Sequence, residues 1–386
     1  MTSSIVGKLH YFLLNLRETT QMFRILCSAA IIFGITSPVS ALDSSIGKLA
    51  VVPMVQGLEQ PWGFAILPEG GVLITERDGV LWHFDGDKRI EVSGGPKVWA
   101  EGQGGLLDIT LPRDFPTSRE VFLTYSKPQP QGAGTALAIA RLSKDGKRLT
   151  GLQDLFVSAP VGRTGRHFGS RVVEAKDGTL FVTIGDRGNR PSAQDRSNHN
   201  GAIVRVTRSG AVPADNPFVG VSDVQPEIWS YGHRNPQGAA LDAQGQLWTA
   251  EHGAKGGDEV NRLRKGANFG WPVISYGVHY SGDPIGEGAS KAGMEQPAHY
   301  WDPSIAPSGL SIHQGEMFEA WNGNLLVGSL KFDYISRLSQ TNGEVKEVEK
   351  LSSVETNRVR DIQTASDGSI WFLSAGNGAL YRISTK

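Results

Sequence analysis

Cysteine is nearly absent: Cys27 is the only one in 386 residues, and it lies in an N-terminal stretch expected to be removed. The rest of the chain therefore has no disulfide and no thiolate metal site, and its stability has to come from packing. Charge of one sign is lacking too, with 38 Lys and Arg against 39 Asp and Glu and a formal net charge of −1. That balance argues against nucleic acid as a partner. Helical periodicity is scarce. No G-x-G-x-x-G follows a strand into a helix, so a nicotinamide-binding Rossmann unit is not supported. The G-x-S-x-G, H-E-x-x-H and D-x-[DN]-x-[DN]-G motifs are also missing, which removes the usual signatures of serine hydrolases, zinc proteases and EF-hands.

The longest apolar run, Ile25–Ile35, falls short of the ~20 residues that cross a bilayer. It follows Met22-Phe23-Arg24 and precedes Pro38-Val39-Ser40-Ala41. A basic start, a short apolar centre and small residues at the end form a secretory signal, with cleavage expected after Ala41. Residues 1–21 read as an upstream extension, with Met22 as an alternative start. Cleavage would remove Lys8, Arg17, Arg24 and Glu18 and leave a mature charge of about −3. The expected destination is the periplasm or the medium, with no stable membrane insertion after cleavage.

Glycine, by contrast, is abundant: 48 residues, beside 20 prolines. Much of it recurs in one phrase, a small or polar turn followed by alternating large apolar residues. The phrase is Glu69-Gly-Gly-Val-Leu-Ile-Thr, Asp177-Gly-Thr-Leu-Phe-Val-Thr, Gln244-Gly-Gln-Leu-Trp-Thr-Ala, Asn322-Gly-Asn-Leu-Leu-Val-Gly and Asp367-Gly-Ser-Ile-Trp-Phe-Leu, with a weaker copy at Arg119-Glu-Val-Phe-Leu-Thr-Tyr. Most copies follow another apolar run, such as Gly63–Leu67 or Asp361–Thr364. Repeats at this spacing mean a modular array. Radial closure of four-stranded units leaves only short protected edges, so the expected fold is all-β: a six-bladed β-propeller with four antiparallel strands per blade, spanning residues 42–386 as one domain. A stack of open sandwiches is the competing arrangement. The stretches Asn189–Val224 and Ser275–Ser308 are expected to be long loops.

The polar residues concentrate around Glu227–Asn261, EIWSYGHRNPQGAALDAQGQLWTAEHGAKGGDEVN. Across the chain they fall at matching places in different repeats. Gln103 precedes the second copy, His167 the third, and Arg234 and Asn235 the fourth; Lys331 follows the fifth, and Arg358 and Arg360 precede the sixth. Matching positions of successive blades meet at one end of a propeller's channel, so these cations, histidine and amides should converge. Unless each cation has its own carboxylate, the cluster calls for an anionic ligand.

These residues and motifs resemble the soluble quinoprotein aldose (glucose) dehydrogenases, and most closely their periplasmic aldose sugar dehydrogenase branch. GQGGLLD, HFGSR, IGD, EIWSYGHRNPQG, EHGAKGGDEVN, NFGWP, SLK and NRVRD carry the resemblance, in that order, from about Gln60 to Arg382. It implies a pyrroloquinoline quinone (PQQ) cofactor and Ca2+. His167 matches the general base, and an imidazole suits that task because its ordinary pKa is near working pH. Asp186 matches an acid that orients the base, with a structural Asx-turn as the alternative. Gln103, Arg234, Asn235, Lys331, Arg358 and Arg360 match contacts to the cofactor's carboxylates and quinone, and Arg234 also suits charge growing on a reduced quinone oxygen. The carbonyls of Gly253 and Ala254 match ligands of a catalytic calcium, and Glu259 with the Phe269 carbonyl match a second calcium site. Glu259 has an alternative as a partner of Arg262 or Arg264. Arg166 replaces an acid of the glucose-specific branch, and the long insertions of that branch are missing. Those departures favour a broad aldose preference and a monomer or weak homodimer.

The implied activity is oxidation of aldoses at the anomeric carbon to lactones, with electrons passed to an external acceptor. A non-redox propeller binding carbohydrate or protein is the alternative, because fold alone does not choose function. A third, lactone hydrolysis at calcium, would show more carboxylates facing the metal.

Overall fold

The structure, a computed structural model, describes residues 40–386; the expected signal segment otherwise lies outside them. Six antiparallel sheets form in chain order. The first strands, Pro61–Ile66, Leu106–Thr110, Val172–Glu174, Pro236–Leu241, Pro307–Ile312 and Val359–Thr364, contact one another around a closed circuit, the sixth meeting the first. They are the inner staves of a six-bladed propeller. Five blades have four strands, as expected. The sixth has five, because Ser40–Ser44 and Gly47–Val55 complete the sheet begun by Val359–Thr364, Ile370–Ser374 and Ala379–Thr385. The cut expected after Ala41 would fall inside the outermost strand and leave Leu42, which is fully buried, as its first residue.

All six copies of the repeated phrase supply the second strand of a blade: Val72–Glu76, Glu120–Gln129, Leu180–Thr183, Leu247–Glu251, Leu325–Ser329 and Ile370–Ser374. Their apolar side chains point to both faces, and each face packs on a neighbouring blade. Leu73 joins Leu106 and Leu123 between blades 1 and 2, while Ile74 joins Val55 and Leu380 between blades 6 and 1. Comparable clusters occupy the other blade interfaces. A strand buried on both faces loses its period-two alternation, which is why the phrase reads as a continuous apolar run.

Two expected loops contain strands. Asn189–Val224 includes Ala202–Val206, the third strand of blade 3, and Ser275–Ser308 includes His299–Trp301, the fourth strand of blade 4. The first hid among polar turns because it is short, and its one charged residue, Arg205, is buried and neutralised by Asp177 and Asp215. The second is only three residues long.

In five blades the pairing of first and second strands slips at the start of the inner strand: at Pro61/Phe64, Leu106/Ile109, Pro236/Gly238, Pro307/Leu310 and Val359/Asp361. Bulges of this kind re-aim side chains. Here they fall on Trp62, Gln237 and Arg360, which all line the same end of the channel. Below them Arg171 plugs the bore, 2.6 Å from Asp108 Oδ1 and 3.0 Å from Asp361 Oδ1. Burial pushes both carboxyls up and Arg171 pulls them back.

Candidate active site

At one end of the channel lies a cavity of about 760 Å³. Gln103, Lys331, Arg358 and Arg360 line it, as their positions in the repeats imply, and Gly253 and Ala254 line it too. The alternative in which each cation has its own carboxylate does not hold. Among the described residues Lys331, Arg358, Arg360 and Arg234 have no ion pair within 4 Å. Arg358 donates to the Leu330 carbonyl at 3.0 Å and Arg360 to Gln237 Oε1 at 2.7 Å. Burial, with Arg171, Arg358 and Arg77 nearby, pulls Arg360 down to about 9. Cations on a cavity wall whose side chains have no carboxylate partner are an unfilled demand for negative charge.

His167, Arg234, Asn235 and Asp186 stand beside this wall rather than in it. The His167 amide donates to Gln103 Oε1 at 2.7 Å, and Arg234 Nη1 donates to the His252 carbonyl at 3.3 Å. Asn235 Oδ1 accepts the Gly169 amide at 3.1 Å, while its Nδ2 has no partner. His167 Nδ1 lies 2.6 Å from Asp186 Oδ1. The carboxylate also accepts Trp271 Nε1 at 2.8 Å and the Gly188 amide at 2.7 Å. Asp186 therefore makes its Asx-turn and orients the imidazole at once, so the two readings of this residue coincide. With Nδ1–H committed to the carboxylate, Nε2 is the free basic nitrogen. Burial is the largest influence on the His167 pKa and lowers it, Arg234 and Arg166 act the same way, and Asp186 opposes them. His167 has φ +58° and Arg358 φ +51°, a region non-glycine residues hold only where the surroundings enforce it.

A second, much smaller cavity is bordered by Gly232, Glu251, Glu259, Phe269 and Trp271. Glu259 pairs with neither Arg262 nor Arg264. Its Oε2 accepts Asn261 Nδ2 at 3.0 Å, and Arg264 binds Glu295 instead. Burial, together with Glu251 and Asp258, pushes Glu259 up to about 8. Adjacent buried carboxylates beside a void suit a hard cation. Glu251 also accepts the Arg234 amide at 2.8 Å and His233 Nδ1 at 2.8 Å, which ties this pocket to the main one.

The sequence reading missed several wall residues, namely Arg77, Gln237, His252, Tyr280 and Asp302. The repeats contained the signal for two of them. Arg77 and His252 come directly after the second strands of blades 1 and 4, and Lys331 comes one residue later after that of blade 5. His252 is held neutral, pulled down to about 3 by burial and by Arg234 and Arg360, and its Nε2 has no partner.

The family model for glucose/sorbosone dehydrogenases matches residues 58–382. The chain belongs to the glucose/sorbosone dehydrogenase family. It is 41% identical over 355 residues to the aldose sugar dehydrogenase YliI of Escherichia coli K12, covering 90% of this chain and 96% of that one. The crystal structure of the soluble aldose sugar dehydrogenase of Escherichia coli in its apo form superposes with a TM-score of 0.84 at 40% identity, covering 88% and 100% of the two chains. The quinoprotein glucose dehydrogenase B of Acinetobacter calcoaceticus is 26% identical over 361 residues, covering 72% of this chain and 74% of that one. The protein is accordingly an oxidoreductase, a sugar dehydrogenase built on a six-bladed propeller.

Proposed function

We propose that the protein oxidises aldose sugars at the anomeric carbon to lactones, using PQQ and Ca2+ in the 760 Å³ cavity, and passes the electrons to an external acceptor. The observation that carries this reading is the set of unpaired cations on one wall beside an imidazole already oriented by a carboxylate. Lys331, Arg358 and Arg360 suit the three carboxylates of PQQ, with Arg77 available from blade 1. When bound, PQQ supplies the two-electron acceptor for hydride and Ca2+ supplies Lewis acidity at its carbonyl. The carbonyls of Gly253 and Ala254 suit that ion, and Glu259 with the Phe269 carbonyl suits a second one.

His167 Nε2 takes the proton of the anomeric hydroxyl as that carbon gives up hydride. Asp186 keeps Nδ1 protonated and steadies the imidazolium that forms. Arg234, buried with its Nε unpartnered, suits negative charge developing nearby. The leader points to the periplasm or the medium, and among the described residues no helix is long and apolar enough to cross a membrane.

The test is reconstitution of residues 42–386 with PQQ and calcium, followed by an aldose panel. Sugar-dependent bleaching of the quinone that needs both additions supports the reading. Cofactor binding without sugar oxidation removes the substrate assignment. Absence of cofactor binding favours a propeller that binds carbohydrate or protein without redox chemistry.

A further inference from the structure

The turn after Asp186 contains a buried cation that no step above uses. Arg187 has φ +54° and no carboxylate within 4 Å among the described residues. Its guanidinium is spent on the backbone that carries His167. Nη1 donates to the Arg166 carbonyl at 2.5 Å and Nη2 to the Thr164 carbonyl at 2.8 Å. Nη2 also reaches the Ala133 carbonyl of blade 2 at 3.3 Å. Its carbon centre lies 3.4 Å from the Phe168 ring centroid, and Thr164 Oγ1 returns a bond to the Arg187 carbonyl at 2.5 Å. One side chain thus grips residues 164, 166 and 168, on both sides of the histidine.

The opposite side of the same segment is held by backbone. The Gln103 amide donates to the Gly165 carbonyl at 2.6 Å, and a Cβ on Gly102 would lie 2.2 Å from that oxygen. Nothing else in this grip is charged. A planar fork with five donors meets three carbonyls and an aromatic face, a task a lysine's point charge does poorly.

We propose that Arg187 is a positioning residue for His167: it clamps the 164–168 segment so that the imidazole stays on Asp186, shielded from water, with Nε2 free. The inference rests on His167 being the base. Misplacing a reacting group by about 1 Å can cost roughly a hundredfold in rate, so the clamp has consequences for turnover without touching substrate or cofactor.

The decisive readout is the titration of the His167 ring by NMR in the apo protein, its signal identified by loss in His167→Gln. In the wild type it titrates below the ordinary value of about 6.5. Arg187→Met admits water to the segment, and the titration moves up toward that value; Arg187→Lys and Thr164→Val move it the same way by less. In the reconstituted enzyme kcat of Arg187→Met falls by about ten- to a hundredfold, while affinity for PQQ stays at the wild-type value. An unchanged titration in the folded variants overturns the proposal, and so does a shifted titration with wild-type kcat. If Arg187→Met does not fold, the other two variants decide. The titration needs no cofactor, so a failed reconstitution would count against the proposed function and leave this test standing.

Discussion

His167 Nδ1 and Asp186 Oδ1 are 2.6 Å apart, and the partner oxygen of that carboxylate is held by Trp271 Nε1 at 2.8 Å. The aspartate is thus fixed at both oxygens, and the imidazole is left one orientation. His167→Gln should bind PQQ as the wild type does yet lose at least about a hundredfold in kcat. Single-turnover bleaching of the bound quinone by sugar measures this directly, and near-normal bleaching would remove His167 from the chemistry.

The same pair sets the pH dependence. His167 works as a neutral base, and burial lowers its pKa, so activity should rise with pH through an apparent pKa below the ordinary value of about 6.5. Asp186 opposes that lowering. Asp186→Asn should therefore move the acid limb of kcat to still lower pH while reducing its plateau, because the amide no longer enforces the productive tautomer. A pH–rate profile of the two proteins checks both signs.

Arg360 is partly buried with no anion to pair it, and desolvation, reinforced by neighbouring arginines, pulls its pKa down to about 9. Arg360→Met should weaken PQQ reconstitution and yet raise the stability of the apo protein, by on the order of 1 kcal/mol. Thermal unfolding with and without PQQ separates the effects. A destabilised apo variant would mean that the cation is already compensated.

The small pocket at Glu259 has its own test. Calcium at a hundred times its dissociation constant should stabilise the protein by about 2.7 kcal/mol through that site. Glu259→Gln should abolish this component and, with no buried carboxyl beside Glu251, stabilise the metal-free protein. Unfolding midpoints in chelator and in calcium give the comparison. An unchanged calcium shift in Glu259→Gln would dismiss the site.

Much of this architecture was legible because a propeller repeats its signals. Six second strands carried one phrase, and polar residues just before or after it were brought to one end of the channel. Arg77 and His252 lie one residue short of the offset that identified Lys331, and they follow Glu76 and Glu251 and look like ordinary ion-pair neighbours in sequence. Trp62 and Gln237 were hidden for a different reason. They reach the cavity through bulges, and a bulge changes which side of the strand a residue faces without changing composition. The strand Ala202–Val206 was lost for want of length, and the paired Asp108–Arg171–Asp361 plug because its members come from three blades.

The sixth sheet has a consequence for how the protein comes into being. Gly47–Val55 lies against Ala379–Thr385, so strands more than 300 residues apart in the chain are hydrogen-bonded neighbours. Until the ribosome has released Ala379–Thr385, Ser40–Ser44 and Gly47–Val55 have no sheet to join, and their edge is left unpaired. The ring is therefore latched by the pairing of Gly47–Val55 with Ala379–Thr385. A chain threaded through a translocation pore amino end first would remain unlatched for the whole passage and would close into a ring only on arrival.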